Sequence, residues 1–283
     1  MINLKKDYLS KQPNFVFKPR TIIFFIVAAI IASVLNIGNE ITFHSQNPIP
    51  YFARTTISLI VLLAFVAVTI GLLKQNGLPS KILGLQLSGR SFLNTITGVV
   101  IGIVTIVLLM ALLYAFVPYH FVAGSLNSVD VLKESYSYCL GNSLEEFLFR
   151  GFLLVILSQL MGWRTAVFIM ALPFGLFHLY FMGPNITGLK MVITTAAFSF
   201  VFSYAYILTG SLWTAICTHV SSNILLHAVM GLDGANRAMF VPVFDAKWPV
   251  NYDLGMVVSL LVTAIVASFL YLLIKYRRAA SSF

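Results

Sequence analysis

Two adjacent glutamates and one arginine interrupt a long apolar stretch in the middle of the chain. They are Glu145, Glu146 and Arg150. An ionised side chain at the centre of a bilayer costs roughly 3 kcal/mol on membrane-insertion scales. Such residues therefore face a partner or a cavity, and they commonly mark functional sites. These three residues are the first candidates for a site that does chemistry.

The spacing of these residues divides them into a pair and a single group. Glu146 and Arg150 are four residues apart, so on a helix they lie on one face and can form an ion pair. Glu145 points about 100° away, because a helix has about 3.6 residues per turn. One carboxylate is then neutralised, and the other is free for proton transfer as a general base. The alternative is a structural ion pair beside a protonated glutamate that faces a neighbouring helix.

Two later apolar segments also carry polar side chains. His178 follows Phe174 by one helical turn, and a lone histidine in a span can be only an interhelical hydrogen-bond partner. His219 and Asn223 are one turn apart and face the same way, so they offer two donors to one small volume. His227 continues that stripe about 12 Å from His219 by helix rise, and we expect it to be supporting or structural.

The composition is that of an integral membrane protein. Apolar residues make up 59% and charged residues 10% of the 283 residues, against roughly 45–50% and 25% in soluble domains. The net charge of +9 is concentrated at the two ends of the chain, which orients membrane spans and argues against nucleic acid as a partner. Cys139 and Cys217 both lie in apolar segments, a position typical of packing thiols rather than disulfides.

Apolar runs of spanning length occur at eight places along the chain. With the N-terminus inside, twelve basic residues fall on the inner side of these runs and five on the outer side. The positive-inside rule then predicts both termini in the cytoplasm. The predicted fold class is all-α, a polytopic membrane helix bundle of about eight transmembrane helices. The runs lie at about 21–38, 55–73, 92–117, 136–160, 165–182, 190–208, 211–230 and 254–274.

The runs divide the chain into four regions. We expect a cytoplasmic basic N-terminus (1–20), transmembrane helices 1–3 with their loops (21–135), a catalytic transmembrane core of helices 4–7 (136–230), and an outer loop, helix 8 and basic C-terminus (231–283). The stretches between spans are too short for a separate soluble domain. Residues 240–248 end in a tryptophan and are predicted as an interfacial re-entrant segment, since Trp favours the headgroup level.

The three polar motifs, taken together and in this order, resemble the CAAX prenyl protease and bacteriocin-processing family of intramembrane endopeptidases. The likeness covers about residues 140–225 and is limited to hydropathy elsewhere. The matching positions are Glu145, Glu146 and Arg150 on one helix, Phe174 and His178 on the next, and His219 and Asn223 on a third.

This resemblance implies a mechanism. Glu145 would activate a water molecule, and His178 would help to hold it. His219 and Asn223 would form an oxyanion hole, in which one donor is typically worth a factor of about 10²–10³ in rate. Supporting roles fall to the remaining matched positions, which are Glu146, Arg150 and Phe174.

A zinc site is the alternative chemistry. Glu145, His178 and His219 could supply one carboxylate and two imidazoles and leave a position open for water. The HExxH spacing of many zinc proteases is absent, and the second glutamate and the asparagine are poor additional ligands. We therefore expect no cofactor, with zinc as the alternative.

The leading prediction is a glutamic endopeptidase that cuts a hydrophobic peptide or membrane-protein substrate in the lipid bilayer. A non-catalytic membrane partner, with an immunity or regulatory role, is the second hypothesis. A proton-coupled transporter is the third hypothesis, because Glu and His chains also relay protons. It ranks last, because such carriers often contain internal repeats and no repeat is visible in this sequence. The short loops are like those of prokaryotic family members tied to bacteriocin maturation or self-immunity. By this analogy we expect a prokaryotic plasma membrane.

Overall fold

The computed structural model describes residues 11–43, 50–179, 183–232, 238–244 and 252–280. Most of these residues are helical. The helices are α1 (Pro19–Phe43), α2 (Tyr51–Gln75), α3 (Gly89–Phe116), α4 (Ser128–Glu146), α5 (Leu154–Met161), α6 (Trp163–Phe177), α7 (Ile186–Thr209), α8 (Leu212–Asn223) and α9 (Tyr252–Ala280).

Two π-helical segments extend these helices without a break. Phe147–Leu153 joins α4 to α5, so residues 128–161 form one helical rod, and Ile224–Val229 lengthens α8. A short 3-10 turn, Ser80–Leu83, lies between α2 and α3. The described residues thus contain eight continuous helical stretches longer than ten residues, which confirms the predicted all-α helix bundle.

Four helices are long and apolar enough to cross a membrane. They are Tyr51–Gln75, Gly89–Phe116, Ile186–Thr209 and Asp253–Ala280, and shorter apolar stretches occur at Pro19–Leu35 and Trp163–Phe177. The exposed faces of these helices carry large apolar side chains such as Ile60 and Val104, as expected for surfaces that face lipid. The number of spans and the cytoplasmic position of both termini stay predictions.

Among the helix boundaries that differ from the sequence prediction, two concern the helices that carry the polar motifs. Helix α4 begins at Ser128, because the Asn127 side chain accepts from the Val129 and Asp130 amides and Asp130 completes a capping box. Two turns of the predicted outer loop therefore belong to this helix. Helix α6 ends at Phe177 with His178 as its C-cap, so His178 lies at the helix end rather than inside it. Residues 180–182 of that predicted span lie outside the described residues.

A two-stranded antiparallel sheet is the element that the sequence did not predict. Strand β1 (Tyr119–Ala123) pairs with β2 (Phe240–Phe244), with Tyr119 opposite Phe244. Residues 240–244 of the predicted re-entrant segment form this strand, and 245–248 lie outside the described residues. The position of the segment at the membrane interface stays a prediction. The Met239 amide donates to the Ala228 carbonyl at 2.9 Å, which ties the sheet to the extension of α8.

Close backbone contacts position the helices that carry the polar motifs. A Cβ on Gly102 of α3 would lie 2.6 Å from the Thr218 carbonyl oxygen of α8. A Cβ on Gly175 of α6 would lie 2.5 Å from the Val192 carbonyl oxygen of α7. Gly98, one turn before Gly102, contacts α8 in the same way. Small residues let helix backbones approach closely in membranes, so these glycines set the positions of α8 and α6.

Candidate active site

Glu146 is the centre of the polar cluster. Its side chain is fully buried, and its Oε1 accepts a hydrogen bond from Arg150 Nη1 at 3.0 Å. The same oxygen lies 2.9 Å from His219 Nδ1. A carboxylate oxygen accepts, so His219 donates through Nδ1 in this contact. The predicted pair of Glu146 with Arg150 is therefore present, and the bond from Glu146 to His219 was not predicted.

Arg150 joins three helices through its guanidinium. Nη2 donates to Ser199 Oγ at 2.8 Å and to the Ser199 carbonyl at 3.1 Å, and Nε donates to Ser203 Oγ at 3.4 Å. The guanidinium carbon lies 4.2 Å from the ring centre of Phe174 and 5.3 Å from that of Phe202. A desolvated cation over an aromatic face gains about 2 kcal/mol. Phe174 thus covers the buried cation from α6.

The two serines of α7 were missed by sequence reasoning. Ser199 and Ser203 are one turn apart, and both are fully buried. Their spacing was the only signal, and serines at this spacing in an apolar helix are commonly packing residues. The structure shows that Ser199 and Ser203 accept hydrogen bonds from Arg150.

His178 faces Glu145 through one nitrogen. Its Nδ1 lies 2.8 Å from the Phe174 carbonyl oxygen, which can only accept, so Nδ1 carries a proton and Nε2 of the neutral ring is an acceptor. Nε2 lies 3.6 Å from Glu145 Oε2, which is longer than a hydrogen bond. Glu145 Oε2 is buried and makes no hydrogen bond to the described residues. Two acceptors at this separation suit one water molecule that donates to both.

Asn223 is half-buried and is paired with a residue that the sequence did not suggest. Its Nδ2 donates to Asn142 Oδ1 at 3.2 Å. Asn142 is 4% exposed and precedes Glu146 by one turn on α4. A polar residue at this spacing before the glutamate pair was the available signal.

Three facing pairs join α4 to α8 and its π-helical extension. The residues of each helix are four apart, and they pair in opposite order, so the two helices run antiparallel along one polar seam. His227 lies in this seam, with its ring 5.8 Å from that of Tyr138 at an interplanar angle of 21°. The pairs are Glu146 with His219, Asn142 with Asn223, and Tyr138 with His227.

The ligand set expected for zinc is only partly assembled. Glu145 Oε2 and His178 Nε2 approach each other, whereas His219 uses Nδ1 to reach Glu146. Within the described ranges, no group of three or more His, Cys, Asp or Glu side chains is arranged to hold a metal ion.

Part of the chain that contains the polar cluster matches a known protein family. Residues 131–225 match the Rce1-like family of type II CAAX prenyl endopeptidases. The Rce1-like segment covers about a third of the chain and contains all the predicted site residues. The predicted resemblance is confirmed, and the match supports a CAAX-type protease of the membrane. A comparison with curated proteins gave no match.

Proposed function

We propose that the protein is an intramembrane glutamic endopeptidase that hydrolyses a peptide bond in a membrane-associated peptide or protein. The observation that carries this proposal is the 3.6 Å separation of Glu145 Oε2 from His178 Nε2, with His178 Nδ1 committed to Phe174. Both facing atoms are acceptors, so a water molecule between them would have its oxygen free to attack. The Rce1-like match supports the same reaction class.

In the proposed reaction Glu145 is the base. The water oxygen forms a bond to the scissile carbonyl carbon while its proton passes to Glu145, and the carbonyl electron pair moves onto oxygen. Glu145 then returns the proton to the leaving nitrogen as the carbon–nitrogen bond breaks. General acid–base catalysis of this kind is worth a factor of about 10²–10⁴.

His219 and Asn223 would stabilise the oxyanion. Because His219 Nδ1 donates to Glu146, its Nε2 is the nitrogen left to face a substrate. Donation through Nε2 as well as Nδ1 requires a proton on both ring nitrogens, and this form of His219 is part of the proposal. Two carboxylates, one guanidinium and one imidazolium then sum to zero charge, which suits a buried cluster. Proton transfer to Glu145 leaves these four groups with one positive charge, which the negative charge of the oxyanion balances.

We favour the metal-free mechanism over zinc. The bond from His219 to Glu146 gives His219 a defined role without a metal. The proposed setting is a prokaryotic plasma membrane with both termini in the cytoplasm, and a role in bacteriocin maturation or immunity belongs to the same proposal.

The test compares protein N-termini in membranes from cells that make the wild type or Glu145→Gln at matched expression. We expect new N-termini with the wild type only, and these would identify the substrate. Glu134→Gln, a change in another acidic residue of α4, is the matched control and should give the wild-type profile. Identical profiles for all three proteins, with a phenotype kept by Glu145→Gln, would favour a non-catalytic membrane partner.

A further inference from the structure

We propose that Asn142 is a further substrate-binding residue, whose Nδ2 donates a hydrogen bond to a carbonyl oxygen of the peptide being cut. The inference rests on the proposed protease function. Asn142 is outside the motif positions that carry the family resemblance. It adds a third donor beside His219 and Asn223.

The first observation is a buried donor without a partner. Asn142 is 4% exposed, and its Nδ2 makes no hydrogen bond to any residue that the structure describes. Buried polar atoms in proteins are almost always paired, because leaving one unpaired costs free energy. A side-chain amide that keeps such a donor beside a reactive carboxylate is suited to a ligand that supplies the acceptor.

The second observation is that the amide is held in place. Asn142 Oδ1 accepts from Asn223 Nδ2 at 3.2 Å, and this bond fixes the plane of the Asn142 amide. Two side-chain amides have four N–H donors between them, and the pair uses one. Three donors remain, which is a donor-rich surface suited to an oxygen that gains negative charge.

The third observation is the position of Asn142. It lies three residues before Glu145 and four before Glu146 on α4, which is about 4.5–6 Å along the helix axis. Its partner Asn223 is one of the two proposed oxyanion donors. A peptide bound so that the water on Glu145 can attack it would therefore place a carbonyl oxygen near Asn142 and Asn223.

The experiment uses the purified full chain in lipid vesicles with an internally quenched peptide that spans a cleavage site found by the N-terminus comparison. The variant Asn142→Leu keeps the number and branching of the side-chain heavy atoms and removes both polar atoms. We expect kcat/KM to fall about tenfold, which is a smaller loss than the factor of about 10²–10³ for a principal oxyanion donor. The thermal unfolding temperature should not drop. Loss of activity without loss of stability separates substrate binding from a structural role.

Ser143→Ala is the matched control on the adjacent residue and should cleave like the wild type. Asn142→Ala serves the same purpose as Asn142→Leu where the leucine variant does not fold. A second comparison places Asn142→Ala in an Asn223→Ala background. A direct contact with substrate predicts a further loss there, whereas no further loss would show that Asn142 acts only by orienting Asn223 and would overturn the proposal.

Wild-type activity of Asn142→Leu would also overturn the proposal and leave the protease function intact. A wild-type protein that cleaves no peptide would instead contradict the proposed function itself. The two failures are therefore distinguishable from the wild-type rate alone.

Discussion

Glu146 Oε1 accepts two hydrogen bonds, one from Arg150 Nη1 at 3.0 Å and one from His219 Nδ1 at 2.9 Å. This one oxygen therefore contacts both Arg150, whose guanidinium is hydrogen-bonded to α7, and the imidazole that we propose contacts the substrate. Removing one member of a buried ion pair is costly, because the remaining charge loses its compensation. Substitutions of Arg150 and of His219 should therefore separate an effect on stability from an effect on activity.

Replacing Arg150 with methionine should destabilise the protein. The change removes the guanidinium that pairs with the buried Glu146 carboxylate, so the free energy of unfolding should fall by about 3–5 kcal/mol. Unfolding in detergent by heat or denaturant measures this. Adding Glu146→Gln to Arg150→Met should recover part of the loss, since the uncompensated charge is gone. An unchanged unfolding transition in Arg150→Met would contradict the ion-pair role.

Replacing His219 with alanine should lower activity more than stability. We expect kcat to fall by a factor of about 10²–10³, the usual effect of losing one oxyanion donor, with a smaller change in KM. Cleavage of the quenched peptide in vesicles gives both constants. The control is His120→Ala, since His120 is exposed on β1. A change confined to KM would mean that His219 binds the substrate without stabilising the transition state.

Metal chelators should leave the activity unchanged. In the proposed mechanism Glu145 and His178 hold the attacking water without an ion, so EDTA or 1,10-phenanthroline removes nothing that the reaction needs. Peptide cleavage before and after chelation is the measurement. Activity lost to the chelator and restored by zinc would instead favour the alternative set of Glu145, His178 and His219.

At the scale of elements, two features set the positions of the site residues. One is the contact of α3 with α8 through Gly98 and Gly102. The other is a pair of π-helical segments that begin directly after Glu146 and directly after Asn223. Such segments in α-helices frequently occur at functional sites. Here each one follows a residue of the polar seam.

Enlarging Gly102 should disturb the site through α8. The added atoms of Gly102→Val would overlap the Thr218 carbonyl, so α3 and α8 must separate. We expect a loss of about 1–3 kcal/mol in unfolding free energy, as for overpacked cores, together with reduced peptide cleavage. Gly71→Ala on α2 is the control, because a Cβ there meets no atom within 4 Å. Equal behaviour of the two variants would show that the close approach is unimportant.

At the scale of the whole molecule, the charge distribution predicts the orientation. Basic residues lie before α1 and at the end of α9, where Arg277 and Arg278 occupy the last turn. Basic flanks favour the cytoplasm. The β1–β2 sheet lies on the segments predicted to be outside.

Reporter fusions test this orientation. A fluorescent protein fused after Phe283 should fluoresce, and alkaline phosphatase at the same position should be inactive, because that enzyme needs an oxidising compartment for its disulfides. A cysteine at Ser125, in the segment between β1 and α4, should react with a thiol reagent that does not cross the membrane. Phosphatase activity at the C-terminus would overturn the predicted topology.

The sequence alone determined the features that depend on residues close in the chain. Apolar runs of spanning length predicted the helix bundle, and spacing of four predicted the pair of Glu146 with Arg150 and the common face of His219 and Asn223. Helical periodicity is a local property, so it can be read without the fold. The order of three motifs predicted the resemblance that the Rce1-like match confirms.

Only the tertiary structure decided which distant groups meet. The bond from His219 to Glu146, the serines around Arg150, the Asn142–Asn223 pair and the β1–β2 sheet all join residues far apart in the chain. These contacts depend on how helices cross and how closely their backbones approach, and glycine contacts such as Gly102 with Thr218 set that approach. Periodicity says which way a side chain faces on its own helix, whereas packing selects the helix that it meets.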